Sequence, residues 1–121
     1  MQRHSFKSGE TIFHENDPSD AAFLIIEGQV EILHQRKSGD TTIVAVLGRG
    51  EYFGEMGVID DKPRSATARA KTDVACMSVG KEEFMGMLLH RPQESIELLK
   101  VLFERLRKAN EKLALIEKAQ G

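Results

Sequence analysis

A mainly antiparallel β fold, a sandwich or barrel followed by helices, is what this sequence predicts, and two observations predict it. Through the first two-thirds of the chain, short apolar stretches recur about every ten residues between clusters of Gly, Asn, Asp, Ser and Lys, the pattern of an all-β domain. Beyond residue 80 the apolar spacing changes to three and four, the helical period. The 121 residues suit one domain with a single hydrophobic core.

Residues 11–14 form a brief extended run after Lys7-Ser8-Gly9. Asn16-Asp17-Pro18-Ser19-Asp20 is dense in turn formers, and Asn16 tolerates a left-handed backbone. Residues 22–27 read as a buried strand, Gly28 turns the chain, and apolar and polar residues alternate over 30–35. Lys37-Ser38-Gly39-Asp40 is a hairpin loop into a strand at 42–47, which Gly48-Arg49-Gly50 closes. Two further strands, 65–70 and 74–79, flank Lys71-Thr72-Asp73. Phe84, Met87 and Leu88 mark a short amphipathic helix over 81–90, ended before Pro92. A long helix then runs over 93–119, with Leu99, Leu102, Leu106, Ala109, Leu113 and Ile116 in 3-4-3-4-3 spacing, a heptad seam. Ile96 and Phe103 widen the seam at its start, as if that half lay against the β region. A helix packed only on its own domain satisfies this pattern, and so does one that pairs with a twin; we expect a homodimer through the six seam residues.

Composition narrows the function. Apolar residues at 40% and charged residues at 30% are ordinary for a folded soluble domain. A net charge of −2 offers no global attraction to nucleic acid or an anionic membrane, so direct contact with neither is expected. Any bound phosphate must be held by a local device. No apolar run approaches a membrane span and no signal-peptide pattern opens the chain. The single cysteine, Cys76, sits in an apolar run and reads as a buried thiol in a reducing cytosol, which places the chain in the cytoplasm. His4, His14, His34 and His90 are scattered without metal-ligand spacing and read as lone surface or loop residues, with no metal bound. A nucleophile elbow, a phosphate loop and a redox cysteine pair are all missing, so an enzyme is not expected.

The chemistry concentrates in residues 52–70. Gly54 removes a side chain where the chain leaves a strand, so an anion can approach the backbone. If a short helix begins there, its free N–H groups face that anion. Glu55 sets a carboxylate beside the same spot, able to accept hydrogen bonds from sugar hydroxyls. After Asp60-Asp61-Lys62-Pro63, Arg64 opens the next strand with a fork of donors suited to phosphate, and Ser65 adds a hydroxyl. Together they can hold one phosphate and one ribose. A glycine turn with a Glu55–Arg64 surface ion pair explains the same residues without a ligand.

Phe53-Gly54-Glu55, eight residues, then Arg64-Ser65-Ala66-Thr67 resembles the phosphate-binding cassette of the cyclic nucleotide-binding domain family. That family includes catabolite activator proteins, regulatory subunits of cyclic-nucleotide-dependent kinases, and cyclic-nucleotide-gated channels. The similarity covers nearly the whole chain: Gly9 and Gly28 fall at the family's early turns, and Gly48-Arg49-Gly50 precedes the cassette. The resemblance implies an antiparallel double-stranded β-helix, a jelly-roll-like barrel, over residues 1–80, with the cassette at 52–70. A short helix and a long lid or dimer helix follow over 81–121, within one cyclic nucleotide-binding domain. It implies ligand contacts from Phe53, Gly54, Glu55, Met56, Arg64, Ser65 and Ala66. Glu55 should accept the ribose 2′-hydroxyl, and Arg64 should pair with the cyclic phosphate. The amides after Gly54, with the N–H and hydroxyl of Ser65, should complete the phosphate site. The ligand is a cyclic mononucleotide, cAMP in preference to cGMP because Ser65 rather than threonine follows the arginine, and no further cofactor is expected. The long helix should close on the base from a hinge at His90-Arg91-Pro92.

Three positions depart from the family pattern. Gly57 stands where alanine is frequent and should loosen the short helix. Ala68 replaces a larger aliphatic residue, and Asn16 replaces a glycine. No helix-turn-helix follows, so a regulatory piece of a larger protein is expected. Two other classes compete: an enzyme on a cupin-like barrel, against which the absence of clustered histidines argues, and a nucleotide-free dimerisation module.

Overall fold

In the computed structural model the chain is described over residues 1–120, with Gln120 described by its backbone alone. Gly121, the last residue of the expected helical region, lies outside the described residues. The elements are β1 (Gln2–Phe6), β2 (Thr11–Phe13), β3 (Ala21–Glu27), β4 (Val30–Gln35), β5 (Thr41–Leu47), β6 (Tyr52–Phe53), α1 (Glu55–Asp60), β7 (Thr67–Ala70), β8 (Val74–Gly80), α2 (Lys81–His90) and α3 (Pro92–Gln120). Two compact units divide inside α2, one over residues 1–85 and one from residue 86 onward.

The strands pair antiparallel in two four-stranded sheets, β1-β8-β3-β6 and β2-β7-β4-β5. The chain passes repeatedly from one sheet to the other, as in a jelly roll. The mainly β, jelly-roll-like class therefore stands, but the barrel is not closed: the ladders of the two sheets are separate among the described residues. Register shifts mark the β2–β7, β3–β8 and β4–β5 ladders, and β6, at the edge of its sheet, is only two residues long.

The core lies between the sheets. Ile25, Val30, Leu47, Phe53, Ala68, Ala70, Val74 and Cys76 are buried together, with Phe13 and Phe23 packed against them. Alternation explains the selection: Val30 and Ile32 pair with Ala70 and Ala68 on one ladder, while Ile25 pairs with Cys76 on the other. Glu31 is buried on the opposite face, where Arg69 Nη2 donates to its Oε2 at 2.9 Å. Cys76 is fully buried, as expected, and burial pushes its thiol up to about 11.

Several boundaries differ from the sequence reading. The strand expected over 65–70 begins at Thr67, because Ser65 and Ala66 form a bend that releases Arg64 from the ladder. Strand β1 was given no bounds from the sequence because it mixes polar and apolar residues, and β6, the strand that Gly54 leaves, is only two residues long. His4 is not a lone surface or loop residue. It lies half-buried on β1, with Nε2 2.8 Å from Ser78 Oγ and its ring 6.1 Å from that of Phe23. His34 lies on β4, 3.1 Å from Glu15 Oε1, so it is neither in a loop nor without a partner.

In the first unit, Phe84 of α2 is fully buried, its ring 5.9 Å from that of Tyr52 in an edge-on contact. Lys81 pairs with Asp61 at the end of α1. In the second unit, α3 starts at Pro92 as the helix-start rule requires, and Ser95 Oγ donates to the Leu88 carbonyl at 2.7 Å. Leu98 is the buried residue of α3 among those described. The expectation that Ile96 and Phe103 are covered fails: they are 47% and 55% exposed. Burial instead follows Leu98, Leu102 and Arg105, a stripe rotated by about one residue from the expected one. No helix among the described residues is long and apolar enough to cross a membrane.

Candidate ligand-binding site

The segment after β6 turns sharply into α1. Gly54, the residue before the helix, has φ 73°, in the left-handed region that only glycine adopts without strain. It supplies no side chain to cap the helix, and the first-turn amides have no intrahelical acceptor. A side chain there would also collide: a Cβ on Gly54 would lie 2.6 Å from Arg64 Nη1 and 3.1 Å from the Phe13 ring. Glycine is thus required twice, for its backbone angle and for the approach of Arg64.

Glu55 and Arg64 are both buried, at 2% and 4% exposure, so they are not a pair on the surface. Arg64 Nη1 donates to the Gly54 carbonyl at 2.7 Å, and Nη2 donates to the Ala21 carbonyl at 2.6 Å. Nη2 also lies 3.5 Å from Asp20 Oδ1. The guanidinium plane rests over Phe13, 4.1 Å from the ring centroid. Nε is buried and has no hydrogen-bond partner among the described residues. Burial pulls the Arg64 pKa below its ordinary value, while the carboxylates of Asp20, Asp17 and Glu55 act in the opposite direction. The result is a fixed cation with an unsatisfied inner donor, beside a buried carboxylate at a helix start. Such a site can receive a small anion carrying hydroxyl groups.

The backbone of Arg64 is held as firmly as its side chain. Asn16 N donates to the Arg64 carbonyl and Arg64 N donates to the Asp17 carbonyl, each at 2.8 Å. Asn16 has φ 74°, the left-handed backbone expected of it. Glu15 N donates to Thr67 Oγ1 at 2.9 Å and ties the same turn to β7.

The remaining expected contact residues fall into two groups. Phe53 and Ala66 are buried, and the Phe53 ring stacks on that of Phe23 at 5.1 Å. Met56 and Ser65 are exposed. Sequence reasoning missed Phe13, Asp17, Asp20 and the Ala21 carbonyl. The turn 16–20 was visible, but its pairing with Arg64 is a long-range contact that no local spacing announces. A surface groove of about 510 Å³, lined by Gln2, His4, Asp20, Ala21, Phe23 and Ser78 among others, contains none of the expected contact residues. It meets the surroundings of Arg64 through Asp20, Ala21 and Phe23, whose ring centroid lies 5.8 Å from the guanidinium. Arg64 itself does not line this groove.

Comparison with known proteins identifies the family of this domain. The family profile of the cyclic nucleotide-binding domain matches residues 3–91. The chain is 33% identical over 114 residues to a CRP-like cAMP-activated global transcriptional regulator of Mycobacterium tuberculosis, covering 94% of this chain and 51% of that protein. It is 41% identical over 83 residues to a cAMP-dependent protein kinase regulatory subunit of Emericella nidulans, covering 69% of this chain and 19% of that one. Its fold is similar to the crystal structure of Thermus thermophilus catabolite activator protein, with TM-score 0.85 and 32% identity over 96% of this chain and 55% of the other. The chain spans about half the length of the bacterial regulators it matches.

Proposed function

Because this chain belongs to the cyclic nucleotide-binding domain family, we propose that it is the sensing part of a cytoplasmic regulator, with cAMP preferred over cGMP. The observation that carries the reading is the buried Arg64 guanidinium, anchored by two carbonyls and still holding an unpaired Nε, beside buried Glu55. In this reading Arg64 and the first-turn amides of α1, with Ser65, hold the cyclic phosphate, and Glu55 accepts the ribose 2′-hydroxyl. Phe53, Gly54, Met56 and Ala66 complete the contact. The preference for cAMP draws on Ser65 and on the cAMP named for the M. tuberculosis and E. nidulans relatives.

The reading is of a binding domain without catalysis of its own, and without direct contact to nucleic acid or membrane. The signal leaves through α3. Two copies pair along Leu99, Leu102, Leu106, Ala109, Leu113 and Ile116. Support for the pairing is the exposure of Leu99, Leu106, Leu113 and Ile116, between 49% and 57%, in a row along one helix.

Thermal unfolding of the purified chain with cAMP and with cGMP tests the proposal. Ligand at a hundred times its dissociation constant adds about 2.7 kcal/mol, so cAMP should raise the midpoint at lower concentration than cGMP. No shift with any 3′,5′-cyclic mononucleotide at millimolar concentration would end the reading.

A further inference from the structure

Ser19, in the turn before β3, and Gly57, in α1, meet without room to spare. A Cβ built on Gly57 would overlap Ser19 Oγ and the Lys62 carbonyl, and would lie 2.6 Å from Ser19 Cβ. The absence of a side chain at Gly57 therefore does not merely loosen the helix, as the sequence suggested; it admits Ser19. The hydroxyl is not the reason for the contact, since Ser19 Oγ is buried without a hydrogen-bond partner among the described residues. The neighbours of this contact are what matter. Asp20 and Ala21, next along the chain from Ser19, present Oδ1 and a carbonyl to Arg64 Nη2. Gly54, one turn before Gly57, presents the carbonyl that receives Nη1. The Ser19–Gly57 contact therefore joins the segment that carries one half of the Arg64 cradle to the helix that follows the other.

We propose that Ser19 and Gly57 form a size-matched positioning pair: Ser19 and the Lys62 carbonyl together exclude a side chain at 57, and filling that position displaces the carbonyls that hold Arg64. As a statement about ligand affinity this rests on the cyclic-nucleotide reading; as a statement about packing it does not. Helix propensity alone makes Gly57→Ala stabilising, whereas overpacking against Ser19 makes it destabilising. The sign of the effect therefore discriminates. Removing the side chain at 19 relieves the two contacts with Ser19, while the contact with the carbonyl of Lys62, whose own N–H donates to the Gly57 carbonyl, remains. Ser19→Gly does this, and Ser19→Ala does not, because Ser19 Cβ is itself within the collision distance.

The test is a double-mutant cycle on the whole chain, read by unfolding midpoint without nucleotide and by calorimetric titration with cAMP. Gly57→Ala should lower the midpoint and weaken cAMP binding by about tenfold or more, and adding Ser19→Gly should recover part of both losses, the Lys62 carbonyl contact keeping the remainder. Adding Ser19→Ala should restore neither. A Gly57→Ala protein with a raised midpoint, or one rescued equally by Ser19→Ala, overturns the pair. Should the unsubstituted chain bind no cyclic nucleotide, the functional reading fails, and the midpoints alone still decide the size match.

Discussion

Replacing Arg64 by alanine separates what this residue does for the fold from what it does for the ligand. The substitution removes hydrogen bonds of 2.7 Å to the Gly54 carbonyl and 2.6 Å to the Ala21 carbonyl, together with the stacking over Phe13. Hydrogen bonds to a charged group contribute about 1.5–3 kcal/mol each, and a desolvated cation over an aromatic ring about 2. Opposing these, deletion relieves the desolvation of a buried charge, the cause that lowers the Arg64 pKa. We expect a net loss of about 2–4 kcal/mol of stability, which a domain with about 5–15 kcal/mol can absorb while remaining folded. Ligand affinity should suffer more sharply in its observable. Leaving a phosphate charge buried without its partner costs about 2–5 kcal/mol, or about 30- to 5,000-fold in dissociation constant. Denaturant unfolding measures the first quantity and calorimetric titration with cAMP the second. Arg64→Lys keeps the charge but loses the planar fork, and should fall between, about tenfold to a hundredfold weaker than Arg64. A folded Arg64→Ala protein with unchanged cAMP affinity would refute the role.

Two further outcomes follow from the rest of the molecule. Leu106→Glu places a charge in the middle of the exposed seam, and sedimentation velocity should then show a single-chain particle where the unsubstituted protein sediments as two; an unchanged mass would remove the seam from the interface. Cys76 titrates at about 11 in the fold against an ordinary value of 9.0, because burial disfavours the thiolate. Its raised pKa means that this contribution is complete below pH 9.0 and is lost as pH climbs toward about 11, amounting to about 3 kcal/mol at most. Urea unfolding at several pH values should show that loss, and Cys76→Ala should flatten that part of the slope; parallel slopes in the two proteins would contradict the assignment.

The cassette was legible as a motif because its residues are close in the chain: a glycine, a carboxylate and an arginine at fixed spacing. The helices were legible for a similar reason, since α2 (Lys81–His90) keeps its expected bounds and Pro92 opens α3. What the sequence hid is pairing at a distance. The residues that aim Arg64 come from the turn 16–20 and from Phe13, and neither carries a spacing relation to position 64. Strand β1 was hidden differently: Gln2-Arg3-His4-Ser5-Phe6 lacks an apolar run, and its place is set by the β8 residues from Val74 to Ser78 that it pairs with. At Gly57 the expectation used helix propensity, a property of one residue, where the deciding term is a contact with Ser19.

A chain of net charge −2 does not draw an anion by its overall field, and three carboxylates already act on the one guanidinium that matters. Attraction must come from how the donors are fixed. Asp20 is a weak competitor: its side chain is 88% exposed and 3.5 Å away, and such pairs contribute about 0–1 kcal/mol. A charge-assisted hydrogen bond to a phosphate oxygen contributes about 1.5–3 kcal/mol, so a cyclic phosphate can take that donor from Asp20. The two carbonyl bonds need not be given up. They hold the guanidinium against Phe13 before any ligand arrives, which spares the ordering of a long side chain, a term of about 0.5–1.5 kcal/mol on binding. Preorganisation also sets Gly54 above Asp20 in importance: a Cβ at Gly54 displaces the donor itself, whereas loss of Asp20 removes only a rival for it.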